Sequence, residues 1–95
     1  MVSFTVRMRF AEEHHERVAE FLRQLTGASR QEPGCVAYNA HFVADDPSTV
    51  LIYEQYKDDA ALEHHRHSPH FSQYATGGLY QLVLDRTLEA LNLIA

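Results

Sequence analysis

Residues 32–56 read "EPGCVAYNAHFVADDPSTVLIYEQY", and the fold turns on how this stretch is read. "EPG" at 32–34 is a turn, while "CVAYNAHFV" at 35–43 and "VLIYEQY" at 50–56 are rich in β-branched and aromatic residues. "ADDPST" between them is dense in turn formers, so the two runs pair as an antiparallel hairpin. Upstream, Val2, Phe4, Val6, Met8 and Phe10 alternate with Ser3, Thr5, Arg7 and Arg9, the period of a strand with one buried face. From Ala11 the period changes. Val18, Phe21, Leu22 and Leu25 fall on one side of a helix and Glu12, Glu13, Glu16, Glu20 and Arg23 on the other, with acids at the N-terminal end where the helix dipole favours them. Gly27 weakens this helix, which extends at most to about Arg30.

Downstream, Asp58 or Asp59 caps a helix through "AALEHHRH", which must stop near Ser68 because the residue before a proline is pushed out of helical geometry. Ser68 caps the next helix, with Pro69 at its first position, where a missing N–H costs nothing. "TGG" at 76–78 is read as the end of that helix, and "LYQLVLDRTLEAL" at 79–91 as the last strand with a short helical tail.

The order β-α-β-β-α-β predicts an α+β, ferredoxin-like fold: one four-stranded antiparallel sheet with helices on one face. In the last two strands both alternation classes carry apolar residues, Val50 and Ile52 with Leu51 and Tyr53, then Leu82 and Leu84 with Val83. Neither face of such strands suits water, which predicts a second subunit's sheet over the uncovered side.

Ninety-five residues allow one domain, 1–95, and one core. The net charge of −5 and the lack of any basic cluster denser than "RMR" at 7–9 argue against nucleic acid and anionic membrane as partners. A single cysteine, Cys35, excludes an internal disulfide and a cysteine-based zinc site, and fits a reducing cytoplasm. The alternating N-terminus offers no signal-like apolar run.

"EHHRHSPHF" at 63–71 holds four of the seven histidines. Ala61 and Leu62 stand on the core side of their helix. His65, four and three residues on, therefore points inward, while His64 and His67 lie on an exposed flank. His14 and His15 are likewise read as solvated. The spacings, broken by Ser68–Pro69 and without an H-x-x-x-H pair, match zinc poorly, so no metal is expected. His65, His70, Phe71 and Tyr74, with Asn39 and His41 from the first hairpin strand, are the candidate walls of one pocket. Such a pocket, apolar with a few convergent polar groups, suits a small molecule, and histidine is the side chain best placed to move protons near neutral pH.

These residues carry a resemblance. "EPGCVAYNAHF" followed by "YEQYKDDAALEHHRHSPHF" resembles the antibiotic biosynthesis monooxygenase family of small dimeric α+β barrel proteins. The family pattern has an E-P-G-C turn into a strand, Glu-x-aromatic at a strand end, then Ala-Leu-x-x-His-x-x-Ser-x-His-Phe. Here these are Glu32–Cys35, Glu54 with Tyr56, and Ala61, Leu62, His65, Ser68, His70 and Phe71. The resemblance implies a homodimer with sheets face to face and oxidation of a quinol, anthrone or polyphenol by dioxygen without metal, flavin or other cofactor. It also implies His65 as base or anion partner, Tyr74 and Asn39 as catalytic hydrogen-bonding groups, and His70, Phe71, His41, Tyr56 and Arg86 as substrate contacts.

Two further branches bear on the expectation. The haem-degrading branch relies on an asparagine in the first strand, a tryptophan at the position of His65 and a histidine ten residues later; this chain has none of them, and residue 75 is alanine. Another branch isomerises a phosphorylated signalling sugar, which would need Arg66 and Arg86 to face the pocket. A dimer that binds a small ligand without chemistry is the third alternative.

Overall fold

The structure, a computed structural model, describes residues 1–95. Strand β1 (Val2–Arg9) leads through a 3-10 turn at Glu12–His14 into helix α1 (His15–Ser29). Strands β2 (Cys35–Val43) and β3 (Asp46–Tyr56) form the hairpin, and helix α2 (Asp59–Arg66) follows. A third helix, α3, is wound as a π-helix over Phe71–Leu79 and closes with an α-turn at Tyr80–Leu82, before strand β4 (Asp85–Leu91). All pairings are antiparallel and the sheet order is β2-β3-β1-β4, the ferredoxin-like topology.

The alternation in β1 and β3 sets the core. Phe4, Val6 and Met8 stand opposite Glu54, Ile52 and Val50, and all six are at most 6% exposed. Directly opposed residues share a sheet face, so this face packs against Val18, Leu22 and Leu25 of α1 and Leu79 of α3, all buried. No helix is long and apolar enough to cross a membrane.

Local signals place the helix ends. Asp58 is the N-cap of α2, its Oδ1 accepting from the Ala61 N–H at 2.8 Å. Ser68 Oγ accepts from the Phe71 N–H and donates to the His65 carbonyl, joining the end of α2 to the start of α3. At Gly34 an added Cβ would sit 2.3 Å from the Ala61 Cβ, so only glycine lets the 32–34 turn lie against α2. That approach brings Glu32 to the histidines.

The sequence reading errs after residue 75. Gly77 and Gly78 do not end α3; they lie inside it. An added Cβ at Gly78 would lie 3.2 Å from the Phe21 ring, and one at Gly77 2.9 Å from the Ser72 carbonyl, so these glycines serve close packing within a wide coil. Leu79 to Leu82, apolar enough to be read as strand, form the end of that helix, with Leu79 buried, and β4 starts only at Asp85. Leu82, Val83 and Leu84 consequently say nothing about two apolar sheet faces. On β4 the outward positions are Asp85, Thr87, Glu89 and Leu91, leaving Leu51 and Tyr53 of β3 as the apolar residues at the centre of the uncovered face. β3 also begins earlier than expected, at Asp46, because its carboxylate takes the Ser48 N–H and the Thr49 hydroxyl while Asp45 turns the chain at φ 65°.

Candidate active site

His65 sits at the centre of the candidate site, 2% exposed and ringed by aromatics. Its ring centroid lies 5.1 Å from Tyr56, 5.3 Å from Phe71 and 5.8 Å from Tyr38. Nδ1 is 2.8 Å from Glu32 Oε2, and the same carboxylate oxygen is 2.5 Å from His70 Nε2. A carboxylate only accepts, so Nδ1 of His65 carries its proton and Nε2 holds the free lone pair. Burial pushes the His65 pKa below its usual value, against the opposing pull of Glu32. The ring is therefore a neutral imidazole near neutral pH, fixed in one tautomer.

On the Nε2 side stands Glu54, with Oε1 3.6 Å away. Burial raises the Glu54 carboxyl to about 7, even though the Tyr56 hydroxyl donates to it at 2.7 Å and Arg66 and Arg86 lower it. Two carboxylates in one small site thus differ in role: one grips the imidazole, the other titrates beside its open nitrogen.

His65, Glu54 and Phe71 border a narrow cavity with Phe4, Leu62, Arg66, Tyr80, Arg86 and Leu88. Its volume is about 40 Å³, room for one water molecule, whose share of liquid is roughly 30 Å³. A larger hollow of about 410 Å³ lies elsewhere, between α1 and β2, bordered by Leu22, Arg23, Gly27, Arg30, His41 and Phe42 among others. It holds no convergent acid and base.

Of the residues expected at the site, His65, His70, Phe71 and Tyr56 come together, and Arg86 reaches the cavity mouth. Asn39 and His41 do not join them. Tyr38 between them and the core is 2% exposed, and strand alternation turns its neighbour Asn39 to the other sheet face, where the amide oxygen accepts from Arg30. His41 is exposed and hydrogen-bonds through Nδ1 with the Leu51 carbonyl. Tyr74 packs half-buried against the core, and Tyr80 is the tyrosine that lines the cavity. His64 and His67 are exposed as expected, but His15 stacks on Phe42 at 4.1 Å and bonds with the Pro47 carbonyl.

Glu32 and Glu54 were not among the expected site residues. Glu54 had a signal: it falls in the buried alternation class of β3, between Ile52 and Tyr56. Glu32 had only its place at the head of the E-P-G-C family pattern; the fold alone brings it to His65. It also changes the metal question, because the ligand atoms of Glu32, His65 and His70 all lie within 4.8 Å of one another. Separations of 2.5 and 2.8 Å are hydrogen-bond lengths, whereas two ligands of a tetrahedral zinc stand roughly 3.3 Å apart. Two N–H groups donating to one oxygen account for the cluster.

The chain belongs to the antibiotic biosynthesis monooxygenase family, whose model matches residues 1–77. It is similar to PA3566 of Pseudomonas aeruginosa, 31% identical over 99% of this chain and 94% of that one, with a TM-score of 0.90. A solved antibiotic biosynthesis monooxygenase shares 25% identity over the full length of both chains, with a TM-score of 0.92. Over 46 residues, 48% of this chain, it is 41% identical to Rv0793 of Mycobacterium tuberculosis, which is named provisionally as a monooxygenase, and 33% identical to an uncharacterized protein of Synechocystis, sll1783. Those matches span 45% and 31% of the two relatives' own lengths.

Proposed function

We propose that the protein is a cofactor-independent monooxygenase that oxidises a small phenolic substrate of the quinol or anthrone type with dioxygen. The observation that carries this reading is His65: a buried, neutral imidazole gripped at Nδ1 by Glu32, with Nε2 open toward a cavity of aromatic and apolar walls. Nε2 takes the phenolic or anthrone proton. The resulting electron-rich anion, packed against Phe4, Leu62 and Phe71, passes an electron to dioxygen, and the radical pair combines. One oxygen atom enters the ring, as a carbonyl at an anthrone methylene or as a hydroxyl on a quinol that becomes a hydroxyquinone, and the other leaves as water, so the substrate supplies all four electrons and no external reductant is needed.

Oxygen uptake by the protein with hydroquinones and anthrones tests this. The His65 limb of the pH profile is expected to fall only below the ordinary histidine range, because burial lowers the His65 pKa, while Glu54, titrating at about 7 beside Nε2, adds a separate step near neutral pH. No uptake above the buffer rate across such a panel would sink the reading. A second reading, isomerisation of a small phosphorylated hydroxyketone, is favoured by Arg66 and Arg86 at the cavity; its turnover would continue without oxygen.

The reading includes a homodimer with the uncovered sheet faces apposed. Leu51 and Tyr53 on that face, with the exposed Leu91, Leu93 and Ile94 at the end of the chain, supply apolar surface for it. Light scattering at micromolar concentration should give twice the chain mass, and a clean monomer would refute it.

A further inference from the structure

Arg66 and Arg86 have no part in the proton transfer assigned to His65, yet both border the cavity. Arg86 stands opposite the buried Met8 in register, so it projects from β4 on the helix-covered face. Its guanidinium lies 4.9 Å from the Tyr80 ring centroid, and Nη1 donates to the Tyr80 hydroxyl at 3.2 Å. Neither contact supplies a negative charge. Arg66 has only the exposed Glu63 at 3.7 Å, a solvent-screened pair of little strength.

The remaining ionisable groups of the cavity offset these cations only in part. His65 is neutral, and Glu54 titrates near neutrality instead of standing fully charged. A chain of net charge −5 therefore presents two arginines at the mouth of this cavity. The floor is different, with His65 and Glu54 2% and 6% exposed between apolar walls.

We propose that the substrate is a hydroxylated aromatic carboxylic acid, its hydroxyl on the floor at His65 and its carboxylate at the mouth on Arg86 and Arg66. The planar guanidinium fork matches a carboxylate with two parallel hydrogen bonds, a better partner than the neutral Tyr80 hydroxyl. Arg86 exchanges Tyr80 for the carboxylate, and the cavity of about 40 Å³ must widen around the ring as it enters. The assignment deepens the monooxygenase reading and rests on it for what happens to the hydroxyl.

The test compares the affinities of 2,5-dihydroxybenzoate and hydroquinone, measured by calorimetry under nitrogen so that binding is separated from oxidation. The acid should bind about tenfold more tightly, and the ratio should collapse to about one in Arg66→Gln/Arg86→Gln, with folding checked by circular dichroism. Equal affinities, or a ratio unchanged in the double variant, would overturn the proposal, as would tighter binding of dihydroxyacetone phosphate than of either aromatic. Admitting oxygen afterwards keeps the two ideas apart. An acid held by the arginines but never oxidised refutes the monooxygenase reading and leaves the anion site standing, while oxidation of neutral and acidic quinols at equal efficiency does the reverse.

Discussion

His65→Gln is expected to lower the rate of oxygen uptake by about 10²- to 10⁴-fold, the usual contribution of a positioned general base. Glutamine nearly fills the same space and can still donate to Glu32, so the fold and the Glu32–His70 contact should survive while the basic nitrogen is lost. His65→Ala should lose as much activity and, in addition, about 2–4 kcal/mol of stability, because it empties a fully buried site among Tyr38, Tyr56 and Phe71. The pair separates chemistry from packing. Uptake in His65→Gln within threefold of the parent would remove His65 as the base, whatever the alanine variant did.

The second large effect concerns pH and stability. Glu54 binds its proton at about 7 in the folded protein, against an ordinary 4.5, so the native state holds a proton that the unfolded chain has released. Stability must then fall as pH rises from about 4.5 to 7 and level off above, with a total change on the order of 3 kcal/mol. Glu54→Gln removes the titration and keeps an oxygen to accept from Tyr56. In urea unfolding the variant should therefore be the more stable at pH 8 and nearly equal to the parent at pH 5. Midpoints that shift in parallel with pH in both proteins would contradict a raised carboxyl at this position.

The fold was legible because its signals are local. Alternation in 2–10, the turn residues at 44–45 and the Asp58 and Ser68 caps each act within a few residues, and the observed elements start and stop near them. Legibility failed at 76–84, where the choice between strand and helix rests on a contact with Phe21, about fifty-five residues earlier in the chain, and neither glycine nor leucine content reveals that contact. The site divides in the same way. The inward phase of His65 follows from Ala61 and Leu62 one turn back, and Phe71 and His70 follow from the Ser68 cap. Asn39 and His41 were misplaced although their own strand held the answer, since Tyr38 is the larger apolar neighbour and claims the core side. Glu32 lay beyond any local rule: its partner His65 is 33 residues away.

The winding of α3 has a consequence for how the pocket is varied. Phe71–Leu79 coils with the i to i+5 bonding of a π-helix, which rotates less per residue than an α-helix. Pitch, and not residue type, decides which phenol reaches the cavity: Tyr74 packs against the core and Tyr80 lines the cavity, where its hydroxyl accepts from Arg86. A π-winding absorbs a residue that an α-helix of the same span would not hold, so a one-residue change in this coil re-aims the side chains inside it while the flanking elements keep their directions. Length in 71–79 is thus a specificity variable in its own right, one that a position-by-position comparison of residue types would miss.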